Sequence, residues 1–163
     1  MAENLPVFMV CNILEEEHEG YQFSKWPLHL TVIPWFRLKE DALPKTLVAI
    51  EETAKKVGSF AIKSKGNAWY GPRGDIPVTE VTDVAGKLTE LHNELVHEIQ
   101  GNAGDIIDLT HTGDNYSPHV SVSKDGKSIG HDQILRCSNI TVVEKTQRKV
   151  ESKQVIKVIS LVQ

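Results

Sequence analysis

Two short stretches of this chain follow one pattern. "WPLHLTV", residues 26–32, and "YSPHVSV", residues 116–122, each place an aromatic, two further residues, a histidine, an apolar residue, a hydroxyl residue and another apolar residue in that order. Successive side chains of a strand point to opposite faces, so each copy on a strand shows His and hydroxyl on one side and two apolar groups on the other. His29 pairs with Thr31 in the first copy and His119 with Ser121 in the second, the two residues of each pair being about 6.6 Å apart along the backbone. Each copy presents one proton-transfer group beside one hydroxyl donor. If the two strands meet across a cleft, the four groups surround a single phosphate, one imidazole taking a proton from a nucleophile and the other giving one to a leaving group.

The remaining pattern supplies the frame for those strands. Residues 5–14 read as a buried first strand, rich in branched and aromatic side chains. The first motif strand starts near Leu28, and strict alternation puts His29, Thr31, Ile33 and Trp35 on one face with Leu28, Leu30, Val32 and Phe36 on the other. Pro34 breaks the ladder and predicts an edge or an irregularity there. Leu43, Leu47, Ile50, Ala54 and Val57 recur at helical spacing and predict a helix over 42–57 that stops at Gly58. "SFAIKSKGNAWYG" and "IPVTEVT" read as strands with a turn-rich region between them. A second helix is predicted from Val84 to Gln100, capped by Asp83, with Leu88, Leu91, Leu95 and Ile99 buried and Gly101 as its end. Residues 101–118 read as connecting structure, the second motif strand turns His119, Ser121 and Ser123 to one face, and "DQILRCSNITVVEK" and "KQVIKVISLV" are two further strands. Mixed strands and helices in this order give an α+β fold.

Composition limits the partners. The 163 residues suffice for one compact domain, 1–163, and 18 Lys plus Arg against 22 Asp plus Glu leave a formal charge of -4. A long polyanion would need a local basic surface, so a small nucleotide or a nucleic-acid end fits the balance better than duplex coating. Cys11 and Cys137 have no paired ligand spacing, and their small number suits a reduced, cytoplasmic chain. Glu3 precedes the first apolar run, no basic targeting segment opens the chain, and no apolar run reaches the roughly 20 residues of a membrane span, so no membrane anchor is expected.

With both tetrads complete, His29-Leu30-Thr31-Val32 and His119-Val120-Ser121-Val122, the chain resembles the two-histidine phosphoesterase superfamily, in its 2'-5' RNA ligase-like or cyclic phosphodiesterase branch. The size, the spacing of the tetrads and the element order are also similar. The resemblance implies a bilobal, pseudosymmetric α+β fold with antiparallel sheets around a central cleft. It implies hydrolysis of 2',3'-cyclic phosphodiesters on nucleotides or RNA ends to a 2'-phosphate, with His29 and His119 as acid and base in an order left open. Thr31 and Ser121 would hold the nonbridging phosphate oxygens. The chemistry implied needs no metal and no other cofactor, and no obligate protein partner follows. The alternatives are a 2'-5' RNA ligase or 2'-5' phosphodiesterase using the same pair, and a noncatalytic RNA-end or nucleotide-binding module.

Other residues carry weaker signals. Trp26 and Tyr116 precede the two tetrads and serve either the core or a base. Arg37, Lys63, Lys65, Arg73, Arg136 and Lys153 are candidate phosphate contacts or ordinary surface charges. "KGNAWYGPRGD" lacks the lysine-hydroxyl ending and following helix of an ATP-type phosphate loop. His92 and His97, five apart on a helix, are separated by about 140° and do not form an adjacent-turn metal pair.

Overall fold

The computed structural model describes residues 5–15, 18–123, 126–146 and 152–161; Glu3 and Val162 lie outside these. In chain order the elements are β1 (Val7–Ile13), β2 (Gln22–Phe23), β3 (His29–Arg37), α1 (Leu43–Val57), β4 (Phe60–Tyr70), β5 (Ile76–Asp83), α2 (Lys87–Gly101), β6 (Asp105–Ile106), β7 (His119–Ser121), β8 (Ile134–Cys137), β9 (Asn139–Thr146) and β10 (Ser152–Ser160). The strands form one sheet in the order β2-β10-β9-β1-β3-β7-β5-β4-β8, with β6 on the far end of β3. Neighbours along this order pair antiparallel. The expected antiparallel sheets are thus the two halves of one sheet, and the motif strands β3 and β7 are direct neighbours where the halves join.

The segment "DQILRCSNITVVEK" was expected to form one strand and forms two. Ile134–Cys137 pairs with β4 in one half, whereas Asn139 onward pairs with β10 and β1 in the other. Ser138 alone separates them, and its carbonyl accepts a hydrogen bond from Leu161 N–H at 2.8 Å. Because β8 and β9 lie far apart in the strand order yet adjoin in sequence, the sheet has to curl. A continuous strand would have to pair with both halves at once.

The helices cover one face of the sheet. Leu30, Val32 and Val120 point into this core with Ile50, Ala54, Leu88, Leu91, Leu95 and Ile99. Each fully buried aliphatic side chain contributes roughly 1.5–3 kcal/mol. α1 ends as expected at Gly58, whose φ of 85° favours glycine and whose N–H returns to the Ala54 carbonyl. α2 begins at Lys87 rather than Val84, since Val84 N–H still bonds to the Ala61 carbonyl beside the β4–β5 ladder. Asp83 nonetheless caps it: its carboxylate accepts the N–H groups of Leu88 and Thr89 at 3.2 and 2.7 Å. Gly101 closes the helix, and the left-handed turn after it falls on Ala103, φ 64°.

β3 departs from strict alternation. Cys11 pairs with Thr31, Val10 with Ile33 and Phe8 with Phe36, so β3 carries an extra residue beyond Thr31 and another around Pro34. Ile33 is consequently turned into the helix-side core with Leu30 and Phe36, not onto the face of His29. Pro34 marks an irregularity inside the sheet, not an edge. A smaller cluster of Met9, Cys11, Ile13, Phe23, Val143 and Val155 lies on the opposite face, packed by Tyr21, Trp26 and Trp35.

Candidate functional site

The register of the central strand pair sets the site. His29 lies opposite Ser121 and Leu30 opposite Val120. Continued by one residue, that register sets Thr31 opposite His119. Opposed residues of an antiparallel pair share a face, with Cβ atoms about 4.5–5.5 Å apart, so both histidines and both hydroxyls occupy one patch while Leu30 and Val120 anchor its underside in the core. The patch has a local dyad passing between Leu30 and Val120.

Both histidines are held alike. His29 Nδ1 is 3.0 Å from the Pro27 carbonyl and His119 Nδ1 is 2.9 Å from the Ser117 carbonyl. A carbonyl only accepts, so each Nδ1 carries the hydrogen and each neutral ring keeps its lone pair on Nε2. The same backbone anchor, two residues before each histidine, therefore sets the tautomer in both copies.

Their surroundings differ. His29 is 7% exposed, and its ring stacks on Trp26 at 4.0 Å and 24°. Burial pushes its pKa down to about 4, opposed by the Pro27 carbonyl and aided by His119 and Lys153. His119 is half-buried, with the Tyr70 ring at 4.5 Å and Glu80 directly across the ladder on β5. Burial lowers its pKa as well, with the Ser117 carbonyl raising it, His111 lowering it and Glu80 raising it. Among the described residues, Thr31 Oγ1 has only the Met9 sulfur at 3.8 Å as a side-chain partner, and Ser121 Oγ makes no hydrogen bond. Both hydroxyls are therefore uncommitted to a strong acceptor.

A brace lies behind the patch. The fully buried His92 donates Nδ1–H to the Val32 carbonyl at 2.7 Å and accepts Gly113 N–H on Nε2 at 2.9 Å. Tyr116 stacks flat on it, centroids 3.9 Å apart and planes within 4°, and donates its hydroxyl to the Thr31 carbonyl at 2.7 Å. Tyr116 thus belongs to the core side, whereas Trp26 stands on the site face. Both ring nitrogens of His92 are used within the protein, so its role is structural.

The family model of the 2'-5' RNA ligase superfamily matches residues 10–143. The chain belongs to this superfamily. Solved structures of similar fold include a protein described as a phosphoesterase, with TM-score 0.68, 11% identity, 98% of this chain and 100% of that one covered. Escherichia coli LigT complexed with 3'-AMP gives TM-score 0.66, 11% identity, and coverage of 98% and 100%. TT0787 of Thermus thermophilus gives 0.64, 14% identity, and coverage of 95% and 97%. At these identities the likeness concerns the fold. A search of curated proteins found no match in sequence.

On this superfamily frame the basic candidates separate. Lys153 is buried beside the site, its Nζ 5.6 Å from the Trp26 ring centroid and 2.9 Å from the Ser24 carbonyl. Arg37 pairs with Asp105 at 2.9 Å on the far end of β3, and Arg136 donates to Ser59 Oγ at 3.0 Å on β8. Lys63, Lys65 and Arg73 are exposed on β4 and the turn after it. The stretch "KGNAWYGPRGD" is the end of β4 and its hairpin turn: Gly66, φ 151°, sits at a bulge, and Tyr70 pairs with Ile76. Tyr70 and Glu80 carried no signal of their own in the sequence. Only the β4–β5 and β5–β7 registers bring them to His119. No helix among the described residues is long and apolar enough to cross a membrane.

Proposed function

We propose that this chain is a single-domain phosphodiesterase that opens 2',3'-cyclic phosphates on nucleotides or RNA ends to a 2'-phosphate. The observation that carries the reading is the antiparallel register that sets His29 beside Ser121 on the face shared by His119 and Thr31. A phosphate lying over this patch meets two uncommitted hydroxyl donors for its nonbridging oxygens and two imidazoles whose Nε2 atoms are free for proton transfer. One imidazole removes a proton from water as oxygen attacks phosphorus. The other protonates the ribose oxygen as its P–O bond breaks. Paired proton transfer of this kind is worth about 10²- to 10⁴-fold per group.

Membership of the 2'-5' RNA ligase superfamily supports phosphate-ester chemistry, and the LigT structures holding 3'-AMP, ATP and NADP+ support a nucleotide as the ligand. The net charge of -4 favours a small ligand or a strand end over a long polyanion. Two free, buried cysteines suit a reducing, cytoplasmic setting. Turnover of purified protein on 2',3'-cyclic nucleotides, with product position read by phosphorus NMR, tests the reading. A 2'-phosphate product is expected. Binding without turnover would replace the enzyme by an RNA-end binding module, and cleavage confined to 2'-5' dinucleotides would replace the substrate.

A further inference from the structure

The dyad of the four motif residues is broken by what surrounds them. Around His29 stand Ile13 across β1, Ser121 across β7, the Trp26 ring, and Lys153 acting through its charge. Among the described residues no carboxylate acts on it. Around His119 stand Glu80 across the ladder, the Tyr70 ring and His111, which lies stacked beyond Tyr70 at 6.4 Å. Tyr70 O–H donates to Glu80 Oε2 at 2.7 Å, which leaves its oxygen to accept from Ser117 Oγ at 3.1 Å. Ser117 in turn supplies the carbonyl that anchors His119 Nδ1. Glu80, Tyr70 and Ser117 therefore form one linked set around a single histidine. Past Tyr70 opens a groove of about 530 Å³ lined by Tyr70, Gly71, Pro72, Asp108, Thr110 and His111.

Resting on the reaction proposed above, we infer that the site is polarised: Glu80, fixed by Tyr70, holds His119 as the proton donor, the nucleoside lies on that side in the Tyr70–His111 groove, and His29 is the base on the water side. The argument is geometric. In-line displacement sets the attacking oxygen and the leaving oxygen on opposite sides of phosphorus, and the leaving oxygen belongs to the ribose. Whichever histidine protonates it must have the nucleoside on its own side. A carboxylate beside an imidazole favours the charged, donating form, whereas a lysine favours the neutral, accepting form. The groove opens on the His119 side. As the O–P bond forms and the ribose P–O bond breaks, His29 gains a proton from water and His119 loses one to the ribose oxygen. Exchange with solvent restores both rings.

Glu80 and Tyr70 are positioning residues, and the test reads each histidine directly. The two imidazoles are titrated by NMR in the free protein, with resonances assigned from H29Q and H119Q. His119 is expected to hold its proton to higher pH than His29. E80Q, which keeps the shape of the side chain, is expected to move the His119 midpoint down and to leave His29 in place. Tyr70→Phe is expected to move it in the same direction by less. In kcat/KM on a 2',3'-cyclic nucleotide, E80Q should shift only the high-pH limb toward acid. Adenosine 2'-monophosphate should perturb His111 and Tyr70 beyond what inorganic phosphate does, and Trp26 no more than inorganic phosphate does. His29 titrating above His119, an unmoved His119 in both variants, or nucleoside-specific shifts at Trp26 instead of His111 would overturn the polarity. The titration and ligand shifts need no turnover, so absent hydrolysis refutes the reaction while these readouts decide the polarity.

Discussion

Replacing His92 by leucine removes the brace behind the strand pair without touching the patch itself. The loss has two parts. The Val32 carbonyl and the Gly113 N–H, bonded to the ring at 2.7 and 2.9 Å, lose their partners. Each unsatisfied buried group costs about 1–3 kcal/mol. The flat stack on Tyr116 contributes roughly 0.5–1.5 kcal/mol more. Gly113 is only half-buried, so water recovers part of its bond, and leucine restores part of the apolar contact. A net destabilisation of about 2–4 kcal/mol follows. At a urea slope of about 2 kcal/mol/M, the unfolding midpoint falls by roughly 1–2 M. His92→Asn, whose amide can donate in place of Nδ1–H, should recover part of the loss. Burial lowers the pKa of His92, and protonation would set a donor on Nε2 against the Gly113 N–H. The contribution is therefore present above the unfolded value of about 6.5 and lost as pH falls through the lower folded value. A destabilisation below about 1 kcal/mol, or leucine and asparagine variants of equal stability, would refute the brace.

His29→Ala and His119→Ala should each lower kcat by about 10²- to 10⁴-fold, and Thr31→Val and Ser121→Ala should lower kcat/KM by about 10-fold or more; folded histidine variants of near wild-type activity would sink the paired mechanism. His29, held down to about 4 by burial, takes up its proton later in the folded than in the unfolded chain. Stability should therefore fall by up to about 3 kcal/mol between pH 6.5 and 4, and His29→Gln should flatten that slope in pH-dependent urea unfolding. Turnover should survive exhaustive chelation with metal content measured independently; loss restored by zinc or manganese would move the reaction to a metal-bound water.

The helices and the two tetrads were legible because each is a local pattern. The stripe from Leu43 to Val57 and the His-apolar-hydroxyl-apolar alternation report burial within one element. Pro34 likewise announced an irregularity that proved to be an extra residue in β3. What escaped depends on which strand meets which. Ile33 turns inward only because β1 and β3 fall out of step, and the break at Ser138 exists only because its flanks pair in different halves of the sheet. Glu80 illustrates the same limit at the site. Its partner His119 lies 39 positions onward, on a strand three residues long, and no spacing rule connects them. The helical phase of His92 excluded an adjacent-turn metal pair with His97, but its two bonds reach Val32 and Gly113 across 60 and 21 residues and left no local pattern.

The dyad between Leu30 and Val120 also has a stereochemical meaning. In the in-line transition state the phosphate has an approximate two-fold axis along its retained ester oxygen, which exchanges the two nonbridging oxygens and, at the same time, the attacking and leaving oxygens. Laid on the protein's axis, the phosphate meets the same four groups in either orientation, so the histidines and hydroxyls alone cannot distinguish a substrate from its half-turn image. Orientation is decided at the periphery, by groups that have no counterpart in the other half. Chirality at phosphorus offers a direct view of this: replacing one nonbridging oxygen by sulfur sets the bulkier atom beside Thr31 in one diastereomer and beside Ser121 in the other. The methyl that threonine has and serine lacks then becomes the feature by which the two are told apart.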